Sequence, residues 1–113
     1  MAVEFKLDGQ KFAALNGGPQ FNFDEAISFQ VYCKDQTEVD YFWEKLGAGG
    51  KEVACGWLKD KFGLSWQVVP TMLFEMLLDP DRDKVKRVTK AFLKMKKFYI
   101  SALKRAFDGG HRE

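Results

Sequence analysis

The chain has 113 residues, enough for one hydrophobic core and too few for two independent ones. Hydrophobic residues at 46% and charged residues at 30% are ordinary globular usage, which excludes a disordered chain. The formal net charge of +2 hides two opposite parts: residues 1–81 carry 7 basic and 13 acidic side chains, residues 82–105 carry 10 basic residues and the single acid Asp83.

Val3, Phe5 and Leu7 alternate with Glu4 and Lys6, the pattern of a half-buried strand. Asp8-Gly9 then predicts a two-residue hairpin turn, with a return strand from Gln10 to Asn16 that stops at Asn16-Gly17-Gly18-Pro19. Ala26 to Cys33 is the next predicted strand. Ile27, Phe29, Val31 and Cys33 face one way, and Ser28, Gln30 and Tyr32 face the other. Asp35 followed by Glu38 is a capping box, and Val39, Phe42, Trp43 and Leu46 make one apolar helix stripe over 36–46. That helix is expected to cover Ile27, Phe29 and Val31. Gly47-Ala48-Gly49-Gly50 follows a helix, so it reads as a C-cap and connector and not as a phosphate loop.

Lys51–Leu58 and Gly63–Val69 are predicted as two further strands. Pro70 opens a short helix with Met72, Leu73, Met76 and Leu77, and Asp79-Pro80-Asp81 breaks it. A longer helix is predicted from Arg82 to Lys97, with Val85, Val88, Phe92, Met95 and Tyr99 at 3-4 spacing. A last helix runs from Ser101 to Phe107 and stops at Gly109-Gly110. One antiparallel-rich sheet with helices on one side is the implied architecture, an α+β domain.

No apolar run approaches the ~18 residues of a membrane span. Glu4, Lys6 and Asp8 interrupt the start of the chain, so no signal peptide is expected, and the prediction is a soluble, cytoplasmic protein. Cys33 and Cys55 have no CxxC spacing, and the one histidine is His111, so both cysteines read as reduced thiols. The same shortage of histidine removes Ser-His-Asp and Cys-His catalysis. The basic block at 82–105 is read as a solvated face attracted to the acidic body of the fold or of a dimer mate. No nucleic-acid motif accompanies it, so nucleic acid is not the expected partner.

The run from Cys55-Gly56-Trp57-Leu58 through Lys59-Asp60-Lys61-Phe62 to Gly63-Leu64-Ser65-Trp66-Gln67-Val68-Val69-Pro70 closely resembles the PhnB-like family. Leu15-Asn16-Gly17-Gly18-Pro19, the segment Val39–Leu46 and Met95-Lys96-Lys97 are similar to it too. That family bears the label 3-demethylubiquinone-9 3-methyltransferase and belongs to the vicinal oxygen chelate (glyoxalase/bleomycin-resistance/dioxygenase) superfamily. The resemblance implies a βαβββ module whose sheet wraps a small-molecule cavity. It divides the single domain 1–113 into a hairpin at 3–19 left from a first module, a second module at 26–70, and C-terminal helices at 71–108.

Metal-dependent members of the superfamily use a His on the first strand of the second module and a Glu on its last. Those positions hold Ala26, which has no donor, and neutral Gln67, a poor ligand. No metal and no cofactor are therefore expected. No Gly-rich loop running from a strand into a helix offers a methyl donor a place, so the methyltransferase label is read as a family name.

The strand faces locate a candidate site. With the apolar faces under helices, the free face holds Ser28, Gln30, Tyr32, Ser65 and Gln67, bordered by Asn16 and Trp57. A few polar groups with an aromatic wall suit a small ligand. The expected function is small-molecule binding. The alternatives are a superfamily enzyme whose site is completed across a dimer, and an interaction module using the basic C-terminal helices. A homodimer is expected, because the hairpin and the stripe from Val85 to Tyr99 offer surfaces for a second copy.

Overall fold

Alternation over the first residues does produce a hairpin in the computed structural model, which describes residues 1–109 and leaves Gly110 and His111 outside the described residues. Strand β1 (Ala2–Leu7) pairs antiparallel with β2 (Gln10–Leu15), with Phe5 opposite Phe12. Asp8 and Gly9 both take positive φ, 52° and 76°, as a type I′ turn requires. The return strand ends one residue before Asn16, whose N–H donates to the Met1 carbonyl at 3.0 Å.

A second sheet is built from β3 (Ser28–Cys33), helix α1 (Gln36–Gly47), β4 (Lys51–Glu52), β5 (Trp57–Lys59) and β6 (Ser65–Pro70). Its strand order is β3-β6-β5-β4, so the connectivity is βαβββ. The β4–β5 and β5–β6 pairs are antiparallel, but the β3–β6 pair is parallel. A parallel pair cannot be closed by a tight turn, and here the connection from β3 to β6 includes α1. Strand β3 starts two residues later than the alternation suggests, because the Ala26 N–H is taken by Asp24 Oδ1 at 2.9 Å. The predicted strand Lys51–Leu58 is two strands. A turn divides it, in which Trp57 N–H donates to the Ala54 carbonyl at 2.9 Å and Cys55 and Gly56 have positive φ.

Helix α1 is capped as expected: Asp35 Oδ1 accepts from Glu38 N–H, and Glu38 Oε1 accepts from Lys34 N–H, both at 2.9 Å. Its stripe buries Val39 and Trp43 with Cys33, Leu58, Val68 and Ile100, while Phe42 and Leu46 pack at the margin. The Trp43 indole N–H donates to Glu52 Oε2 at 3.0 Å, so this large side chain is buried without an orphaned donor. The helix covers Val31 and Cys33 but not the whole predicted face. Phe29 meets Phe12 of the hairpin edge-on (6.5 Å) and Trp66 (5.4 Å), and Ile27 stays 69% exposed.

Helices α2 (Thr71–Leu77), α3 (Arg82–Phe92) and α4 (Ile100–Asp108) enclose a second cluster of Val69, Leu73, Met76, Val88, Phe98 and Leu103. Helix α3 ends five residues before the predicted Lys97. The carbonyls of Met95 and Lys96 are needed elsewhere, as acceptors for the N–H groups of Cys55 and Gly56 at 2.7 and 2.8 Å. Gly56 has φ of 82°, and a Cβ there would run into the Phe98 ring. The Gln36 amide completes the join: its Oε1 accepts from Ile100 N–H (2.7 Å) and its Nε2 donates to the Phe98 carbonyl (3.0 Å). The stripe offered to a second copy is therefore mostly interior. Val88 is fully buried and Phe92 and Met95 pack beside it, whereas Val85 lies outside this core and Tyr99 is 51% exposed. The molecule is elongated, 59 × 27 × 24 Å, with the hairpin near the start of β3 and β6 and the helices at their other end.

Three outcomes follow from this packing. Trp43→Ala empties a large core volume and should cost about 3–5 kcal/mol in chemical denaturation. An unmoved transition would take Trp43 out of the core. Burial pushes the Cys33 thiol up to about 11, with the Glu38 and Asp35 carboxylates adding to it. Under native conditions near neutral pH a thiol reagent should therefore modify half-buried Cys55 well before Cys33, read by mass spectrometry of the labelled peptides.

The third concerns Lys97, whose Nζ lies 2.9 Å from Asp40 Oδ1. Hydrogen bonds from Gln36 and Lys97 hold Asp40 below its ordinary value, and the bond to Asp40 pushes Lys97 above its own. The lowered carboxylate contributes stability above its ordinary pKa, lost as pH falls through the folded value. The raised ammonium contributes below its ordinary pKa, lost as pH rises through the folded value. Asp40→Asn should remove that acid-side loss, an effect of less than about 1 kcal/mol because the pair is solvent-screened. Denaturation curves near neutral pH and below the ordinary carboxylate range provide the comparison.

Candidate functional site

The registers of β3, β6 and β5 assemble one face of the sheet in rows. Parallel pairing sets Ser28 beside Ser65, Gln30 beside Gln67 and Tyr32 beside Val69. Antiparallel pairing then adds Lys59 beside Ser65 and Trp57 beside Gln67. Residues paired across strands share a face, so these side chains lie opposite α1.

Four of the expected residues form a continuous hydrogen-bond ladder. Tyr32 Oη donates to Gln30 Oε1 at 2.6 Å, Gln30 Nε2 to Gln67 Oε1 at 3.2 Å, and Gln67 Nε2 to Ser28 Oγ at 2.8 Å. Each group fixes the next, which is how a polar surface is pre-organised for a ligand. Trp57, half-buried on β5, borders the ladder on one side. At the far end Phe74 of α2 packs edge-on against Tyr32 at 5.5 Å.

Ser65 is 1% exposed, and its Oγ has no hydrogen-bond partner. It belongs to the row but sits beneath its surface. Asn16 is not brought to the ladder: it lies at the open end of the hairpin, outside the four-stranded sheet.

Lys59, Glu25 and Phe74 join the site unannounced by the sequence reading. Lys59 was legible as the residue two beyond Trp57 on the same strand, hence on the same face. Its Nζ lies 3.1 Å from Glu25 Oε2, and that bond holds Glu25 below the usual carboxylate range. A carboxylate so held is a weak proton acceptor. No nucleophile beside a base is formed by the ladder, whose groups are a phenol, two amides and a hydroxyl.

A superfamily-type metal does not fit these residues. Ala26 offers no donor atom, and the Gln67 amide is already engaged at both ends by Gln30 and Ser28. Among the described residues no group of three His, Cys, Asp or Glu side chains gathers in metal-binding reach. No helix among the described residues is long and apolar enough to cross a membrane. A groove of about 1060 Å³ lies away from the ladder, along α3 and the turn that joins it to the end of α2.

Comparison with known proteins agrees with this architecture. Curated proteins yield no match. Among solved structures, the chain is similar to the PhnB protein of Bacillus cereus, which carries the 3-demethylubiquinone-9 3-methyltransferase name, at 30% identity with a TM-score of 0.58. The match covers 63% of this chain and 64% of that one, so this chain spans less than two thirds of its structural relative. Gly47 ends α1, and Gly49 and Gly50 lead from it into β4, so this glycine-rich segment runs from a helix to a strand and does not open a helix. A family model described as 3-demethylubiquinone-9 3-methyltransferase matches residues 1–69, the hairpin and the βαβββ sheet as far as Val69, and the chain accordingly belongs to this PhnB-like family of glyoxalase-like folds.

Proposed function

We propose that the protein binds a small molecule on the β3–β6–β5 face. The observation that carries this reading is the ladder of Tyr32, Gln30, Gln67 and Ser28, fixed bond by bond and bordered by Trp57 and Phe74. Fixed donors and acceptors beside aromatic surface give a ligand orientation through hydrogen bonds and affinity through apolar contact. Second N–H groups on both amides and the Ser28 hydroxyl remain to be used. With neither a metal-ligand set nor a nucleophile–base pair in the ladder, binding accounts for these residues better than catalysis does. Free thiols at Cys33 and Cys55 suit a reducing compartment, and the proposal places the protein in the cytoplasm.

A library of common metabolites, tested by thermal shift, addresses the reading directly. At least one compound should raise the melting temperature of the parent protein. Gln67→Leu should abolish that shift, because it removes the central rung, while leaving the unliganded melting temperature within a few degrees. No stabilising compound, or an equal shift in Gln67→Leu, would overturn the proposal.

A further inference from the structure

We propose that the β3–β6–β5 face takes a small organic carboxylate, whose head group displaces Glu25 from Lys59 and accepts a hydrogen bond from the Ser65 hydroxyl. The inference rests on the binding reading above and adds to it the ligand's charge, its orientation and the group it replaces.

A hydroxyl without a partner is the first observation. Ser65 is 1% exposed and its Oγ makes no hydrogen bond, although it stands in a row of polar side chains. Register places it between Ser28 of β3 and Lys59 of β5. Buried polar groups are almost always paired, because an unpaired one costs free energy that a partner recovers. Neither neighbour supplies that partner. Ser28 Oγ accepts from Gln67 Nε2 at 2.8 Å, and Lys59 Nζ is turned to Glu25 Oε2 at 3.1 Å. An acceptor brought between Lys59 and Ser65 would satisfy the buried hydroxyl. The same acceptor is within the row of the Ser28 hydroxyl, whose own hydrogen the Gln67 bond leaves free.

The second observation is what lies across that hydroxyl. Strand β6 lies between β3 and β5, and Ser65 is its first residue. The ion pair runs from Lys59 of β5 to Glu25, three residues ahead of β3, and so bridges the start of β6. Glu25 is a weakly held stopper. Its side chain is 63% exposed on the turn before β3, where an ion pair contributes little over solvation by water. Its carboxylate also shows the class of group that Lys59 accepts at this place.

The third observation is charge. Lys51 of β4 pairs with Lys59 of β5, which sets two ammonium groups on one face as direct cross-strand neighbours. Glu25 offsets one of them, and Lys51 forms no ion pair among the described residues. The row is short of one negative charge. With Glu25 still close by, a carboxylate balances it and a phosphate dianion exceeds it. The head group then orients the rest of the ligand. Same-face residues are about 7 Å apart along a strand, and the next row holds Trp57 beside Gln67. A carboxylate joined to a ring by about one or two methylenes therefore lays the ring on Trp57.

Phenylacetate and hydrocinnamate, each compared with its amide and with benzylphosphonate, test the proposal by titration calorimetry of the full chain. At least one of the two carboxylates should bind the parent, with its amide about ten-fold weaker or more. Lys59→Met should cost that carboxylate about ten-fold or more in affinity, and Ser65→Ala should weaken it several-fold. Glu25→Gln should instead tighten binding, because the competitor for Lys59 is gone. In the unliganded chain Ser65→Ala should not lower the melting temperature, since it deletes a hydroxyl that bonds to nothing. Binding of neither carboxylate, equal binding of acid and amide, tighter binding of benzylphosphonate, or weaker binding by Glu25→Gln would each overturn the proposal. A neutral compound whose thermal shift needs Gln67 but survives Lys59→Met and Ser65→Ala also overturns it, while leaving the binding reading in place.

Discussion

Six residues of β3 lie beside six of β6 in parallel register, from Ser28 against Ser65 to Cys33 against Pro70. Side chains alternate with period two, so this register sends Val31, Cys33 and Val68 beneath α1 and aligns Ser28, Gln30 and Gln67 on the other face. A slip of either strand by one residue would exchange the two sets, placing an amide against Trp43 and a valine in the ladder. Core and candidate site are thus two consequences of one alignment. The alignment is reinforced from both sides: the hydrophobic cluster under α1 favours it, and the Gln30–Gln67 and Gln67–Ser28 bonds form only in it.

The C-terminal helices are attached by polar rungs as well as by apolar contact. Gln36, in the first turn of α1, grips the backbone at Phe98 and Ile100 with both atoms of its amide, while Cys55 and Gly56 donate to Met95 and Lys96. A buried or half-buried backbone group needs a partner: the N–H groups of Leu93, Lys94 and Met95 close the end of α3, while the carbonyls of Met95 and Lys96 find theirs in the turn between β4 and β5. Val69 carries the apolar part of the join, since the face that bears the ladder at Gln67 passes beneath the helices one alternation later.

Local signals reached the parts of the fold that local physics decides. The Asp8-Gly9 turn, the Asp35 cap and the stripe from Val39 to Leu46 each lie within a few residues of the groups they bind, and the structure places them as the sequence suggests. The early end of α3 was not legible, because its cause is a pair of hydrogen bonds to residues about forty positions away in the chain. The split between β4 and β5 has a related cause. Helical periodicity through Met95 and strand-like composition through Val53 both continue past the points where long-range partners intervene. In the candidate site, alternation brought Ser28, Gln30, Tyr32, Ser65 and Gln67 to one sheet face, with Trp57 named at its border, but it could not say that Ser65 would be covered. Asn16, expected at the border of that face, sits with the hairpin. Phe74 and Glu25 come from segments whose approach to the sheet depends on tertiary packing.

Gln67 is where the site's chemistry turns. A carboxylate there would still accept from Gln30 Nε2 but has no N–H to donate to Ser28 Oγ; an amide donates and accepts at once. By donating to Ser28 and accepting from Gln30, Gln67 joins two residues of one strand through a third on the next. The resulting line from Tyr32 to Ser28 is built of a phenol, two amides and a hydroxyl, each engaged with the next. Charge appears only beside the ladder, in the Lys59–Glu25 pair, where each member offsets the other. In the proposed binding reading, a floor of fixed hydrogen-bonding groups that keeps free N–H groups beside aromatic walls suits recognition by shape and hydrogen bonding. Gln67 is thus the rung through which the ladder passes from one strand to the next and back.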